Sequence, residues 1–198
     1  MKLGFDLDEV VVDLTSELCD YLAIRYGIEW SVDDFINYGF YDCCFDIDPE
    51  VNKSIASSVL ERANDAEFQF QAAPVEGACE VLNKLKKAGH TLHFITSRPK
   101  QNQPWTFKWL RKYDIPFDSV DVIGHSEHKG LYGRKLDLDM YVDDLERHLV
   151  SMLTYKKRWR KGLILLDKPW NSANYDGSKF IKLNNWQEIL RHVGVQNR

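Results

Sequence analysis

Short apolar runs that break off at polar or acidic residues recur along the chain, and each is followed by a stretch of helical spacing. The runs at 2–7, 91–95, 120–123, 140–142 and 162–166 predict five strands. They end at Asp6 and Asp8, at Thr96-Ser97-Arg98-Pro99, at Gly124, at Asp143-Asp144 and at Asp167. Between them, residues 76–88 set Ala78, Val81, Leu82 and Leu85 on one helical face and stop at Gly89, a normal residue beyond a helix C-terminus. Residues 104–113 and 145–155 carry the same period, with Trp105, Trp109 and Leu110 in the first and Leu149, Met152 and Leu153 in the second. Strand and helix in alternation predict an α/β fold, a three-layer Rossmann-like parallel sheet joined by crossover helices. Ligands of such sheets sit beyond the C-terminal strand ends, where this chain keeps its acids.

Residues 15–73 depart from the alternation. Helical patterns at 15–26 and 49–64 flank a segment holding Phe35, Tyr38, Phe40, Tyr41 and Phe45. The expectation is a small helical cap over 15–73, inserted after the first strand, with the core domain formed by 1–14 and 74–198. The aromatic side chains suit the cap's own small core or its seam with the main domain; stacking on a base is the rival use.

The 198 residues suffice for one substantial core and a modest appendage. A net charge of −4 argues against a general nucleic-acid coat, though not against a small phosphorylated ligand. No run approaches the ~20 apolar residues that span a bilayer, and acids arrive too early for a signal-peptide apolar segment. Cys19, Cys43, Cys44 and Cys79 form no zinc-ligand pattern, and reduced thiols in a cytoplasmic protein are expected.

The segment Phe5-Asp6-Leu7-Asp8-Glu9-Val10 carries the sharpest chemistry. Two acids at a strand end converge on one place, and an oxygen-preferring divalent cation is their natural neutraliser. With such charge compensation, one carboxylate can attack phosphorus while the other moves a proton. Thr96 and Ser97 also suit a turn or a helix cap, and Asp143 and Asp144 suit a helix start. Their occurrence after successive predicted strands favours the chemical reading.

In that order the segments resemble the four motifs of the haloacid dehalogenase superfamily of phosphatases. The resemblance implies Asp6 as nucleophile, Asp8 as general acid/base, Thr96 as a ligand of the transferring phosphoryl group, and Lys129 as the charge-offsetting lysine. Ser97 and Arg98 join Thr96 and Lys129 as expected substrate contacts. Magnesium is the implied cofactor, held by Asp6, the Asp8 backbone carbonyl, Asp143 and Asp144. Lys135 is the alternative lysine, but Lys129 leaves room for a short helix at 130–136 before the next strand. Glu9 stands where that superfamily often has a small residue, with its carboxylate directed to solvent or tuning the site. The insertion, Thr96 to Pro99 and Leu165 to Asn171 are similar to the 5'(3')-deoxyribonucleotidase branch, which implies nucleoside monophosphates as substrates. The basic run at 156–161 suits a solvated helix end; a nucleic-acid 3'-end phosphatase would be its functional use, and a non-catalytic phosphate-binding protein is the third possibility. His125, Glu127 and His128 suit phosphate or solvent contacts from a loop, or no role, better than a metal cluster.

Overall fold

A computed structural model describes residues 1–37, 43–46, 48–171 and 179–195. Tyr38, Phe40 and Tyr41 of the aromatic segment lie outside the described residues. Six strands form one parallel sheet: β1 (Lys2–Phe5), β4 (Thr91–Thr96), β5 (Ser119–Val122), β6 (Met140–Asp143), β7 (Gly162–Leu166) and β8 (Ile181–Leu183), in the order β5-β4-β1-β6-β7-β8. A separate two-stranded antiparallel ribbon pairs β2 (Val12–Asp13) with β3 (Ala73–Pro74). Eight helices complete the described fold: α1 (Leu14–Tyr26), α2 (Pro49–Ala63), α3 (Ala66–Gln71), α4 (Ala78–Lys87), α5 (Gln103–Lys112), α6 (Lys129–Leu136), α7 (Glu146–Tyr155) and α8 (Trp186–Val193).

Strand alternation divides the interior in two. Leu92, Phe94, Met140, Val142, Ile164 and Leu166 join one apolar cluster, while Ile95, Tyr141, Leu163 and Leu165 join the other. The first packs with residues of α4, α5 and α8, the second with Leu149 and Met152 of α7. A sheet buried on both faces between helices is the three-layer architecture expected.

The five expected strands are present; β8, α8, α3 and the β2–β3 ribbon are additions. The ribbon is only two residues a side, too short for periodicity to show. It closes the point where the chain leaves the sheet for α1 and returns after α3. Helix α1 starts at Asp13, whose carboxylate accepts from Ser16 N, and ends at Gly27 with φ 68°. Helix α2 starts at Asp48 with Pro49 in its first turn. Phe35 and Phe45 are buried around Trp30, at ring-centroid distances of 5.1 and 4.6 Å. These two aromatics are therefore packing residues of the helical insert. The insert and the sheet domain share one continuous apolar cluster, and Trp109 of α5 donates to the Ala72 carbonyl at 2.8 Å.

No helix among the described residues is long and apolar enough to cross a membrane.

Candidate active site

Register builds the site. Phe5 of the central strand β1 aligns with Phe94 of β4 and with Val142 of β6. The next residue on β1 is Asp6 and the next on β6 is Asp143, so both acids emerge at one rim. The Asp6 amide donates to the Val142 carbonyl at 2.9 Å, which keeps the two chains in step past the strand end. Beyond Asp6 the chain folds back: the amides of Val10, Val11 and Val12 all point to the Leu7 carbonyl. Trp186 of α8 donates to the Val10 carbonyl at 2.9 Å and stacks near Phe5, so the C-terminal helix braces this loop.

Lys129 lies between the two acids, 2.7 Å from Asp6 Oδ2 and 2.9 Å from Asp143 Oδ2, and is 1% exposed. Helix α6 delivers it because α6 lies almost against the backbone of α7. A Cβ on Gly130 would stand 2.2 Å from the Ser151 carbonyl oxygen, and one on Gly133 would stand 2.5 Å from Met152 Sδ. Lys135 is exposed on the same helix and takes no part. Burial acts to lower the Lys129 pKa, but Asp143 and Asp6 outweigh it and raise the value, so the ammonium stays charged.

The acids differ in state. Burial pushes Asp6 up to about 7, with Lys129 opposing and Asp143 and Asp8 adding to the rise. Burial also acts to raise Asp143, yet His148 and Lys129 together hold it below the ordinary carboxylate range. His148 Nδ1 lies 3.0 and 3.2 Å from the two Asp143 oxygens, and the Leu145 amide donates to Oδ1 at 2.9 Å. Asp144 is raised well above its usual value by burial and by the charges of Asp143, Asp6 and Glu9. Its Oδ2 accepts from the Trp170 indole at 2.8 Å, and Asn171 Nδ2 donates to its carbonyl at 2.9 Å.

Two buried carboxylate oxygens of this cluster, Asp6 Oδ1 and Asp144 Oδ1, have no hydrogen-bond partner. Ligand atoms of Asp6, Asp143 and His148 lie within 4.8 Å of one another. Unpartnered carboxylate oxygens in a buried cluster of acids fit a divalent cation. The oxygen donors suit magnesium, and His148 fits better as the group that orients Asp143 than as a magnesium ligand.

A cavity of about 250 Å³ opens above Asp6, Asp8, Ser97 and Arg98, with His148, His125 and Trp170 on its sides. The helical segment contributes Leu14 and Leu18 of α1, Phe35, and Leu60 and Ala63 of α2, together with the neutral polar side chains of Thr15, Asn37, Asn64 and Gln69. Hydrogen bonds stitch the two sides together: Asn102 Nδ2 donates to the Asn64 carbonyl at 2.8 Å, and His125 Nε2 lies 2.9 Å from Asn64 Oδ1. Glu127 pairs with Lys100 and Tyr132, so His125, Glu127 and His128 make loop contacts and form no ligand group.

Three side chains singled out by the sequence have buried partners. Thr96 is fully buried, and its hydroxyl accepts the Arg98 amide at 3.3 Å. Arg98 lines the cavity with its guanidinium held on Asp8. Of the two settings expected for Glu9, solvent does not apply: it is 3% exposed, adopts φ 63°, and accepts the Thr15 amide at 2.7 Å through Oε1. Burial lifts Glu9 to about 7, against the opposing charge of Lys168. His148 and Trp170 were not anticipated as site residues. A His five positions after Asp143 has no motif to mark it, and Trp170 reaches Asp144 only through the turn after β7.

The model of the family described as 5' nucleotidase, deoxy (pyrimidine), cytosolic type C protein matches residues 1–198. The chain belongs to this family. A protein of Oceanobacillus iheyensis named "Putative nucleotidase" is 25% identical over 197 residues, covering 97% of this chain and 98% of the relative. Among solved structures, the "putative HAD-hydrolase YfnB" of Bacillus subtilis, bound to magnesium, superposes with a TM-score of 0.62 at 14% identity, covering 98% of each chain. A dehalogenase solved as an intermediate complex reaches 0.65 at 12% identity, covering 99% of this chain and 97% of its own. This family member is accordingly a nucleotidase-like phosphatase, with the fold of the HAD-hydrolase and dehalogenase neighbours.

Proposed function

We propose that the protein is a magnesium-dependent phosphomonoesterase of nucleoside monophosphates that works through an aspartyl-phosphate on Asp6. The observation that carries this reading is the setting of Asp6. It is a buried carboxylate at the end of the central strand, with one oxygen on Lys129 and the other unpartnered, in a cavity to which the helical segment adds apolar and neutral polar side chains but no charge. Such a cavity suits an amphipathic substrate, with the phosphate at the acids and the base against Leu14, Leu18 and Phe35.

In the proposed reaction Asp6 attacks phosphorus while Asp8 gives its proton to the departing nucleoside oxygen. Asp8 then takes a proton from the water that hydrolyses the acyl phosphate, and inorganic phosphate leaves. Lys129 offsets charge on Asp6 and on the phosphoryl oxygens. Thr96, Ser97 and the turn they begin are the proposed phosphate cradle, with Ser97 on the cavity wall. Asp6, the Asp8 carbonyl and Asp143 would hold magnesium, with Asp144 as a further ligand or outer support. The ion would supply the charge neutralisation that lets an anionic carboxylate approach an anionic phosphate. Residues 15–73 act as the cap over the substrate, and the four cysteines, none of them in a disulfide, fit a reducing, cytoplasmic setting.

The basic run at 156–161 leads into the N-terminal end of β7, opposite the strand ends that carry Asp6 and Asp143. It therefore gives no support to a nucleic-acid 3'-end phosphatase.

The test is phosphate release from a panel of nucleoside monophosphates and an aryl phosphate, with magnesium or with excess chelator. Asp6→Asn is expected to abolish turnover while still binding nucleotide. Undiminished release in chelator, or by Asp6→Asn, would refute the reading.

A further inference from the structure

Arg98 is a buried cation on the cavity wall, and it pairs with Asp8. Its Nε lies 3.0 Å from each Asp8 oxygen, and Nη2 donates to Oδ1 at 2.6 Å. The Arg98 side chain is 1% exposed and that of Asp8 is 16% exposed, so the pair is shielded on the arginine side and open on the aspartate side. Behind the guanidinium, Nη1 reaches Thr106 Oγ1 at 3.4 Å, and that hydroxyl donates to the Asn102 carbonyl at 3.1 Å. The backbone of Arg98 is held as well, with its amide on Thr96 Oγ1 and its carbonyl accepting from Gly124 N at 3.1 Å.

The geometry sorts the two Asp8 oxygens. Oδ1 takes Nη2 and a share of Nε, while among the described residues Oδ2 takes only the other share. Oδ2 therefore keeps the freer lone pairs, and Asp8 is one of the residues that line the cavity. A planar fork grips a carboxylate in a fixed plane, which an ammonium does not do.

We infer that Arg98 is a positioning residue for Asp8: it presents Oδ2 to the leaving oxygen and receives the charge left on Asp8 once the proton has gone. This rests on the proton-transfer role proposed above for Asp8. In that step the Asp6–phosphorus bond forms and the bond from phosphorus to the nucleoside oxygen breaks. The electron pair and the Asp8 proton go to the departing oxygen, and a negative charge remains on Asp8. That charge appears within reach of a guanidinium already in place, so no group has to reorganise. The assignment differs from a direct phosphate contact, because in the phosphorylation of Asp6 it acts only where the leaving oxygen needs a proton.

Leaving-group dependence separates the two. A nucleoside monophosphate expels a strongly basic alkoxide, whereas 2,4-dinitrophenyl phosphate expels a weakly basic phenolate that needs no proton. Arg98→Lys keeps charge and bulk but loses the fork. Positioned acid–base catalysis contributes ~10²–10⁴-fold in all, so losing its alignment should lower kcat on the nucleotide by roughly 10–100-fold. For dinitrophenyl phosphate, kcat/KM, which reports phosphorylation of Asp6 and not the later hydrolysis, should stay within about threefold of wild type. In an Asp8→Asn background the same substitution should add nothing on the nucleotide, the signature of two residues acting as one unit. Equal losses of kcat/KM on both substrates, a rise in KM with kcat intact, or a full additional loss in Asp8→Asn would overturn the inference. Asp8→Asn alone reports on the underlying reading: an equal loss of kcat/KM on the two phosphates would remove Asp8 as the acid and Arg98's role with it. Should Arg98→Lys fail to fold, as judged by its melt, Thr106→Val loosens the guanidinium from behind. It should give a smaller loss confined to the nucleotide, and a loss shared by both substrates would count against the inference.

Discussion

The floor of the cavity and its roof are built on different principles. The floor consists of Asp6, Asp8, Ser97 and Arg98 at the ends of β1 and β4, backed by Lys129 and Asp143, and its charges are buried and paired. The roof consists of Leu14, Leu18, Phe35, Leu60 and Ala63 from the helical insert, with little charge. Strand ends in a parallel sheet hold side chains to a fixed spacing, as charge-driven chemistry requires. Helices packed through apolar side chains give area and shape, which serve selection. The floor should therefore govern kcat and the cation, and the roof should govern which phosphate ester is bound.

The sharpest way to break this division is at Lys129. Lys129→Met should lower kcat by about 10²–10³-fold, the scale seen when one donor to developing charge is removed. It should also destabilise the fold by ~3–5 kcal/mol, because it leaves Asp6 and Asp143 buried without their counter-charge. Steady-state kinetics and denaturant melts check both, and a variant that loses only binding would place Lys129 with the roof. A smaller effect is expected at Trp170→Phe, which removes the indole donor to Asp144. Outer supports of this kind typically change metal affinity by ~10–100-fold. Titration calorimetry with magnesium should show that weakening, with nucleotide affinity in the absence of metal unchanged.

Proton linkage gives a third test of the floor. Asp6 and Glu9 both have folded-state pKa values of about 7, raised by burial from ordinary values of 3.8 and 4.5. The native state therefore binds more protons than the unfolded chain between about pH 4 and pH 7, and stability falls as pH rises through that window. Asp143 runs the other way: its lowered pKa contributes stability above the ordinary carboxylate range that is lost only in stronger acid. In chelator, the melting temperature should fall from pH 5 to pH 8, by roughly 2–4 °C for each kcal/mol lost. Magnesium should restore more at pH 8 than at pH 5, because it binds the ionised carboxylates. A flat profile from pH 5 to pH 8 would show that these acids are not buried as described.

The smallest effect belongs to the roof. Leu60 is 37% exposed on α2 yet lines the cavity. Leu60→Ala should raise KM for a nucleotide by about fivefold, in keeping with ~25 cal/mol for each Å² of apolar surface that the bound base no longer covers. Turnover of a small aryl phosphate should not change. Equal effects on both substrates would erase the contrast between the two walls.

The sequence was most legible where one residue reports on one strand. Asp6, Thr96 and Asp143 each follow an apolar run, and a parallel sheet with the strands in register has no other place for them than one rim. Helix ends were legible for a similar local reason, as at Gly27, which adopts the left-handed conformation that closes α1. Legibility failed where two groups far apart in the chain meet without a local signature. Glu9 illustrates this: a carboxylate beside two others reads as solvated, and only the fold-back after Leu7 buries it against Thr15. Helix α8 has a strong apolar face, yet nothing local says that Trp186 will brace the loop beyond the nucleophile.

Sequence alone determined the alternation of strands and helices, the order of the acids along the chain, and the acids' convergence at the strand ends, because each depends on local period and on the twist and handedness of parallel crossovers. Only the tertiary structure decided the partners: Lys129 rather than Lys135 between the acids, Arg98 on Asp8 rather than free in the cavity, His148 and Trp170 behind the acids of β6. A charged side chain chooses its partner by burial and distance, and neither exists until the chain has folded.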